Sequence, residues 1–329
     1  VLIGLIVWYG GYNIISDGTI SIGTIFLFIQ MSQMLLRPLR QIADKFNTLQ
    51  MGMVSVERVF KILEKDFVIK NNGKINFKSI KGLIFFKNVK FSYNKGEEII
   101  KGISFKIKPG QKVAIIGPTG AGKSTIINLI SRFYDIDSGD IYIDGFSIKD
   151  IELSSLRSNI GIVLQDVFLY ADSIYNNITL FDKSFKKSKV INSAKEIGIH
   201  DFIMTLPNGY DFNIQERGQM LSAGQRQLIA FLRVYIRNPN ILILDEATSS
   251  VDSYSEEIIQ KATTKLIKGK TSIIIAHRLD TIKNSDKIIV IKSGKIIEEG
   301  THNELLNSEN SYYNRFNKKN SLDLVEDLI

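Results

Sequence analysis

The sequence predicts an α-helical membrane segment followed by an α/β domain built around a phosphate-binding loop. Three observations carry that prediction. Two uncharged runs stand nearly back to back at the start of the chain, the pattern changes after residue 82 to short β-rich runs alternating with helical stretches, and a GPTGAGKS octet lies between an apolar strand and a helix. At roughly 150 residues per domain, 329 residues accommodate about two domains and a sizeable buried core.

Composition removes several classes of chemistry. The chain has no cysteine, which excludes disulfides, zinc-thiolate sites, iron–sulfur clusters and thiol catalysis. Its three histidines, His200, His277 and His302, leave little for a histidine-rich metal centre. Forty-two basic against 34 acidic residues give a net charge of +8, which suits either a nucleic acid or the anionic inner leaflet of a membrane. Charge alone does not choose between them.

Val1 to Ile15 contains no charge, Asp17 interrupts, and Gly18 to Leu36 is uncharged again. The second run reaches the roughly 18-residue length of a spanning helix. The first starts abruptly, with no initiating methionine and no basic flank, and reads as a helix cut by the start of the sequence rather than a signal peptide. Two buried helices of a soluble protein are the alternative, disfavoured because the polar residues in both runs are few and uncharged. Arg37, Arg40 and Lys45 follow the second run, while only Asp17 lies between the two. The positive-inside bias therefore places everything after Leu36 in the cytoplasm, with Asn13 to Thr19 as a short outer turn.

Ile42, Phe46, Leu49, Met53, Val56, Phe60 and Leu63 then alternate spacings of four and three, the stripe of a long helix leaving the bilayer. Residues 1–63 thus read as the carboxyl-terminal part of a membrane domain. Residues 64–82, polar and centred on Asn71, Asn72 and Gly73, read as a linker with a turn. The α/β domain is expected over 83–313, with strands at Leu83 to Phe91, Ile99 to Ile107 and Lys112 to Ile116, the last preceded by a Pro109–Gly110 turn. Residues 314–329 form an acidic and amide-rich tail.

Gly117, Pro118, Thr119, Gly120, Ala121, Gly122, Lys123 and Ser124 fit G-x-x-x-x-G-K-[ST], and Thr125 opens the following helix. Glycines let backbone N–H groups wrap phosphate oxygens, and the helix N-terminus adds its positive end. Lys123 is placed to reach the β- and γ-phosphates, and Ser124 to offer a hydroxyl to Mg²⁺. The octet is built for a nucleoside triphosphate. Ile241 to Leu244 is an aliphatic strand ending in Asp245 and Glu246, as where a buried parallel strand meets a ligand. Because side chains alternate along a strand, the two acids need not share a job. Asp245 suits the Mg²⁺ shell and Glu246 the polarisation of an attacking water. Two such acids also suit a solvated turn or a helix cap, a reading weakened by the phosphate loop.

Leu221-Ser222-Ala223-Gly224-Gln225-Arg226-Gln227 resembles the signature sequence of ATP-binding cassette (ABC) proteins, and it lies between the phosphate loop and the acidic strand as in that family. The likeness extends over roughly Val1 to Tyr313. It implies the α/β P-loop NTPase cassette of an ABC ATPase, with a helical subdomain between Gln165 and Leu221, preceded by an α-helical transmembrane segment. By the same resemblance Tyr93 stacks on adenine, Gln165 senses Mg²⁺ and the membrane domain, and Ser222, Ala223, Gly224 and Gln225 contact the nucleotide of a second cassette. Ser250-Val251-Asp252 would contact the partner, with Asp252 near nucleotide, and His277 the γ-phosphate. Glu216-Arg217-Gly218 is similar to a loop of ABC exporters, and fused membrane helices are their arrangement.

The resemblance therefore implies a bacterial lipid- or multidrug-exporter-like half-transporter with ATP and Mg²⁺ as cofactors. Its partners would be a second half-transporter, membrane lipids and a transported substrate, with no nucleic acid, and its place the bacterial inner membrane with the cassette in the cytoplasm. Lys123, Gln165, Glu246 and His277 would form the catalytic set. The alternatives are a soluble ABC-type ATPase acting on nucleic acid and a non-hydrolysing subunit of a heterodimer. Three departures stand out: Ala223 for a commoner glycine, Val251 for a leucine, and Gln215 where glycine is common. If position 223 needed φ above zero, alanine would cost roughly 1 kcal/mol or more.

Overall fold

A computed structural model describes all residues except 17, 19, 65–68, 70, 78, 216–217, 219, 246–252, 277–278, 309–310 and 319–329. The chain divides into two compact units, Val1–Val68 and Ile69–Ile329.

The first unit consists of helices α1 (Leu2–Ser16) and α2 (Ile22–Leu63). α1 runs on through Asn13 to Ser16, part of the stretch expected to turn. The Asn13 amide and Ser16 hydroxyl donate back to the carbonyls of Tyr9 and Tyr12, so these polar side chains bond within the helix. Gly10 is the buried residue of α1, and a Cβ there would come within 2.7 Å of Ile25 on α2. A small residue thus brings the two backbones together. Ser21 caps α2 by accepting from the Thr24 amide at 3.2 Å.

α2 is continuous for 42 residues, roughly 63 Å at about 1.5 Å per residue, twice the ~30 Å thickness of a bilayer core. It is the helix long and apolar enough to cross a membrane among the described residues; α1 is apolar but shorter. Pro38 lies inside α2 between Arg37 and Arg40, where the apolar part gives way to charge. No residue of α2 is buried, those of the Ile42-to-Leu63 stripe included.

Among the described residues the second unit contains ten strands and the remaining helices: β1 (Ile84–Ser92), β2 (Glu98–Ile107), β3 (Lys112–Ile116), α3 (Lys123–Ile130), β4 (Ser138–Ile143), β5 (Phe146–Ser147), α4 (Leu153–Ser158), β6 (Ile160–Val163), α5 (Ile174–Thr179), α6 (Lys187–Ile197), α7 (His200–Thr205), α8 (Ala223–Arg237), β7 (Ile241–Asp245), α9 (Ser253–Ile267), β8 (Thr271–Ile275), α10 (Leu279–Lys283), β9 (Lys287–Lys292), β10 (Lys295–Gly300) and α11 (His302–Asn307). The three strands expected from sequence appear within a residue or two of their predicted bounds. β2-β1-β4-β5 form an antiparallel sheet. The larger sheet has the order β10-β9-β3-β8-β7-β6 and is parallel except at its β10 edge.

The parallel strands read as unbroken apolar runs because both their faces are covered. Leu242, Leu244 and Ile274 join α8 and α9 in one core, whereas Ile241, Ile243, Ile273 and Ile275 join α3 and the antiparallel sheet in another. The period-2 alternation divides adjacent residues between two layers. It also turns Asp245 toward the α3 side, along with Ile241 and Ile243.

Residues 71–77 are bonded along the start of α4. The Asn71 side chain accepts from the Leu153 amide at 3.0 Å, the Phe77 amide donates to Ser155 Oγ at 2.8 Å, and Asn76 donates to Glu152. Gly73 packs so closely on the Ile151 carbonyl that a Cβ would overlap it. α5 to α7 and a 3₁₀ turn at Gly209–Asp211 fill the stretch between Gln165 and Leu221. His200, whose sequence context suggests a plain surface residue, is half-buried and bonds the Tyr210 hydroxyl at 3.0 Å. His302 likewise bonds the hydroxyl of the fully buried Tyr313, at 2.6 Å.

Because Ile243 is fully buried between the two layers, Ile243→Ala should cost about 2–5 kcal/mol and Ile243→Val about 0.5–1.5 kcal/mol. Denaturant unfolding of the purified chain checks this as a shift in midpoint at unchanged slope.

Candidate functional site

Parallel topology brings the sequence motifs to one edge. β3 ends at Ile116 and delivers the Gly117–Ser124 loop, β6 ends at Val163 and delivers Gln165, and β7 ends in Asp245 beside Ile275 of β8. This is the carboxyl edge of the sheet, where open α/β folds bind ligands. Tyr93, Ile99, Thr119, Gly120, Gly122, Lys123, Ser124, Thr125, Gln165, Asp245 and Ile275 line a cavity of about 390 Å³ there.

The phosphate loop needs glycine for two separate reasons. Gly117, at φ 153°, sits so close to the Ile291 carbonyl of β9 that a Cβ would overlap it, and Gly122 caps α3 at φ 103°. Ala121 is buried, and its carbonyl accepts from the Gly294 amide at 3.2 Å. The loop is therefore laced to the β9–β10 turn. Lys123 is 9% exposed, and its ammonium donates to the carbonyls of Gly117 at 2.7 Å and Pro118 at 3.0 Å. Burial pushes the Lys123 ammonium below the ordinary lysine range, and the nearby Asp245 carboxylate partly restores it. A phosphate chain would add to that restoring field.

Tyr93 is half-exposed at the cavity wall, its ring edge-on to Phe91 at 4.9 Å and Tyr134 at 5.0 Å. Its hydroxyl donates to Thr125 Oγ1 at 3.3 Å and accepts from Asn128 at 3.1 Å. Asn128 and Ile99 were not singled out from sequence. The four-residue spacing from Ser124 to Asn128, which puts both on one face of α3, was the available signal.

Ser222 is the N-cap of α8, and with Gln225 it closes a capping box: the Gln225 amide donates to Ser222 Oγ at 3.2 Å and the Ser222 amide to Gln225 Oε1 at 3.0 Å. Ser222 and Ala223 are exposed. None of residues 222–225 lines the phosphate-loop cavity. Ala223 is the first helical residue and lies outside the left-handed region, so the strain considered for it does not arise. The departure that does carry positive φ is Gln215, at 60°. Glu216, Arg217, Glu246, Ser250 to Asp252 and His277 lie outside the described residues.

The donor set suits a hard divalent cation that shares a ligand's phosphates. Ser124, Gln165 and Asp245 offer oxygen atoms to one cavity, and the described residues contain no cluster of three or more histidines and carboxylates to hold a metal unaided. Mg²⁺ is usually held in this way, by one or two carboxylates together with phosphate oxygens.

Gly117→Ala should lower nucleotide affinity at least about tenfold, the equivalent of roughly 1.4 kcal/mol, because the added methyl must displace β9 or the loop. Titration with a fluorescent ATP analogue measures this directly.

Comparison with known proteins agrees with this geometry. Residues 100–249 match the family model described as ABC transporter. The chain is 40% identical over 328 residues to an ATP-dependent lipid A-core flippase of Syntrophus aciditrophicus, covering 99% of this chain and 54% of that protein. It is 44% identical over 303 residues to YknV of Bacillus subtilis, an ABC transporter ATP-binding protein by name, covering 92% of this chain and 50% of that protein. Among solved structures, a bacterial Atm1-family ABC exporter with ATP bound superposes with a TM-score of 0.74 at 34% identity, over 97% of this chain and 56% of that one. The chain spans about half the length of the curated relatives it matches. Phosphate loop, acidic strand and capped signature, in the fold these relatives share, identify the chain as a member of the ABC transporter family that carries its ATP-binding cassette.

Proposed function

We propose that this chain works as half of an ATP-driven exporter that moves an amphipathic or lipid-like substrate across a bacterial inner membrane. One observation carries the reading: phosphate loop and signature belong to one cassette, yet the signature's exposed Ser222 and Ala223 stand outside the cavity that the loop builds. The exposed start of this capped helix is open to a nucleotide that a second cassette brings to it. Two-fold pairing would then place two ATP molecules at the interface, each between residues 117–125 of one chain and 222–225 of the other. The names of the relatives, a lipid A-core flippase among them, favour the exporter class and a lipid-like cargo.

The residues divide the work of hydrolysis. Lys123 and the loop amides hold the β- and γ-phosphates, and Tyr93 offers a ring face to the base. Ser124, Gln165 and Asp245 would hold Mg²⁺, which when bound would offset the charge of the phosphates. Glu246 orients or deprotonates the water that attacks the γ-phosphorus in line, and His277 stabilises charge on the transferring group. Asp252 meets the partner near the nucleotide. ATP favours the closed pair, and loss of the γ-phosphate removes contacts made only when closed. The unbroken course of α2 from the apolar segment to Leu63 supports a role in carrying that motion to the bilayer. The basic residues Arg37, Arg40 and Lys45 support a cytoplasmic cassette.

Glu246→Gln should lower ATP turnover by roughly a hundredfold or more, the share of a general base, while ATP binding persists and the closed pair accumulates. Steady-state hydrolysis in nanodiscs and a fluorescent-ATP titration check the two halves. Normal turnover in this variant removes the role given to Glu246.

A further inference from the structure

The loop that follows Gln165 is tied to the signature helix by one arginine. Arg233 projects from α8 about three turns beyond Ser222. Its guanidinium donates from Nη1 to the Phe168 carbonyl at 2.8 Å, from Nε to the Asn177 carbonyl at 2.6 Å, and from Nη2 to Asn177 Oδ1 at 3.0 Å. Asn177 is fully buried and continues the fastening. Its Oδ1 accepts from the Tyr170 amide at 2.8 Å, and its Nδ2 donates to the carbonyls of Tyr170 and Ser173 at 3.0 Å each and of Asp172 at 3.3 Å. One turn further along α8, Arg237 donates to the Thr179 carbonyl at 3.0 Å.

These bonds reach backbone from residue 168 to residue 179, and Gln165 at the nucleotide cavity stands three residues before Phe168. The oxygens that receive Arg233 are neutral amides, not carboxylates. Burial accordingly pushes the guanidinium down to about 10, which leaves it charged at neutral pH. A half-buried charge fixed only by neutral oxygens is a poor way to gain stability, since an apolar residue of similar volume avoids the desolvation cost. What the planar fork supplies is three directed bonds from one side chain, a geometry that a lysine does not reproduce.

We infer that Arg233 and Asn177 are positioning residues that clamp the Gln165 loop to the signature helix, so that the Gln165 edge of one nucleotide site and the signature offered to the other move as one body. The inference rests on the reading of the chain as a dimeric ATPase and adds a route by which each site reports its state to its neighbour.

The test uses the full chain in nanodiscs with Arg233→Lys, Gln165→Ala and the double variant. Arg233→Lys should lower kcat roughly tenfold or more through misplacement of the loop, with ATP affinity nearly unchanged. The double variant should be no slower than Gln165→Ala alone, because both changes act through one loop. Hydrogen exchange at the Tyr170 amide should be faster in Arg233→Lys than in the parent chain. Effects on kcat that multiply in the double variant, or an unchanged Tyr170 exchange rate, overturn the clamp. If Arg233→Lys does not fold, Asn177→Ser takes its place, with the same readouts expected to move in the same directions and the same results overturning the clamp. A parent chain that turns over no ATP removes the exporter reading, whereas the exchange measurement still decides the clamp.

Discussion

Everything at the nucleotide edge depends on the contact between Gly117 and the Ile291 carbonyl of β9. That approach leaves no room for a side chain, and it sets the depth at which the phosphate loop lies against the sheet. With the loop fixed there, and its Ala121 carbonyl bonded to the Gly294 amide, α3 begins with Lys123 buried and aimed back at the loop. Asp245 then faces Lys123 across the cavity because β7 runs parallel to its neighbours and ends level with Ile275. A change of one residue in the β7 register would turn Asp245 to the other layer and part the acid from the lysine.

The second consequence is geometric. On the proposed reading, a cassette whose phosphate loop sits on the carboxyl edge, and whose signature caps a helix outside that cavity, is half of two sites rather than the whole of one. The proposed exporter makes use of such a half. Closure can then be driven by binding and reopened by cleavage, and a helix roughly 63 Å long has the reach to join that cycle to a bilayer. The clamp at Arg233 extends the same logic inside the cassette, since a site that shares its nucleotide gains from moving its own sensor together with the motif it lends.

Much of this was legible in the sequence, for physical reasons that differ by element. β3 and β7 were readable because strands covered on both faces leave apolar runs with little polar interruption. The phosphate loop was readable because its glycines, lysine and serine are required at fixed spacing. Long-range fastening was not. Arg233 and Asn177 lie far apart in the chain, and nothing local marks either as the other's partner. Asn71, Asn76 and Gly73 have the composition of a turn, but their polar groups are spent on α4, which only the fold reveals. Whether Ala223 carries strain stayed open in the sequence because backbone conformation is invisible there; as the first residue of α8 it is helical, a position alanine suits. His200 looked solvated for want of any sign that Tyr210 would meet it.

The sharing of nucleotide between two chains is tested most directly by mixing two disabled forms. Lys123→Ala removes the phosphate-loop cation and leaves the signature intact, whereas Ser222→Arg blocks the signature and leaves the loop intact. Each alone should hydrolyse almost no ATP. Reconstituted together they should recover turnover, since the mixed pair contains one complete site formed from both chains. Mixed pairs that demonstrably assemble yet recover nothing, or a Ser222→Arg chain that is fully active by itself, would contradict the account.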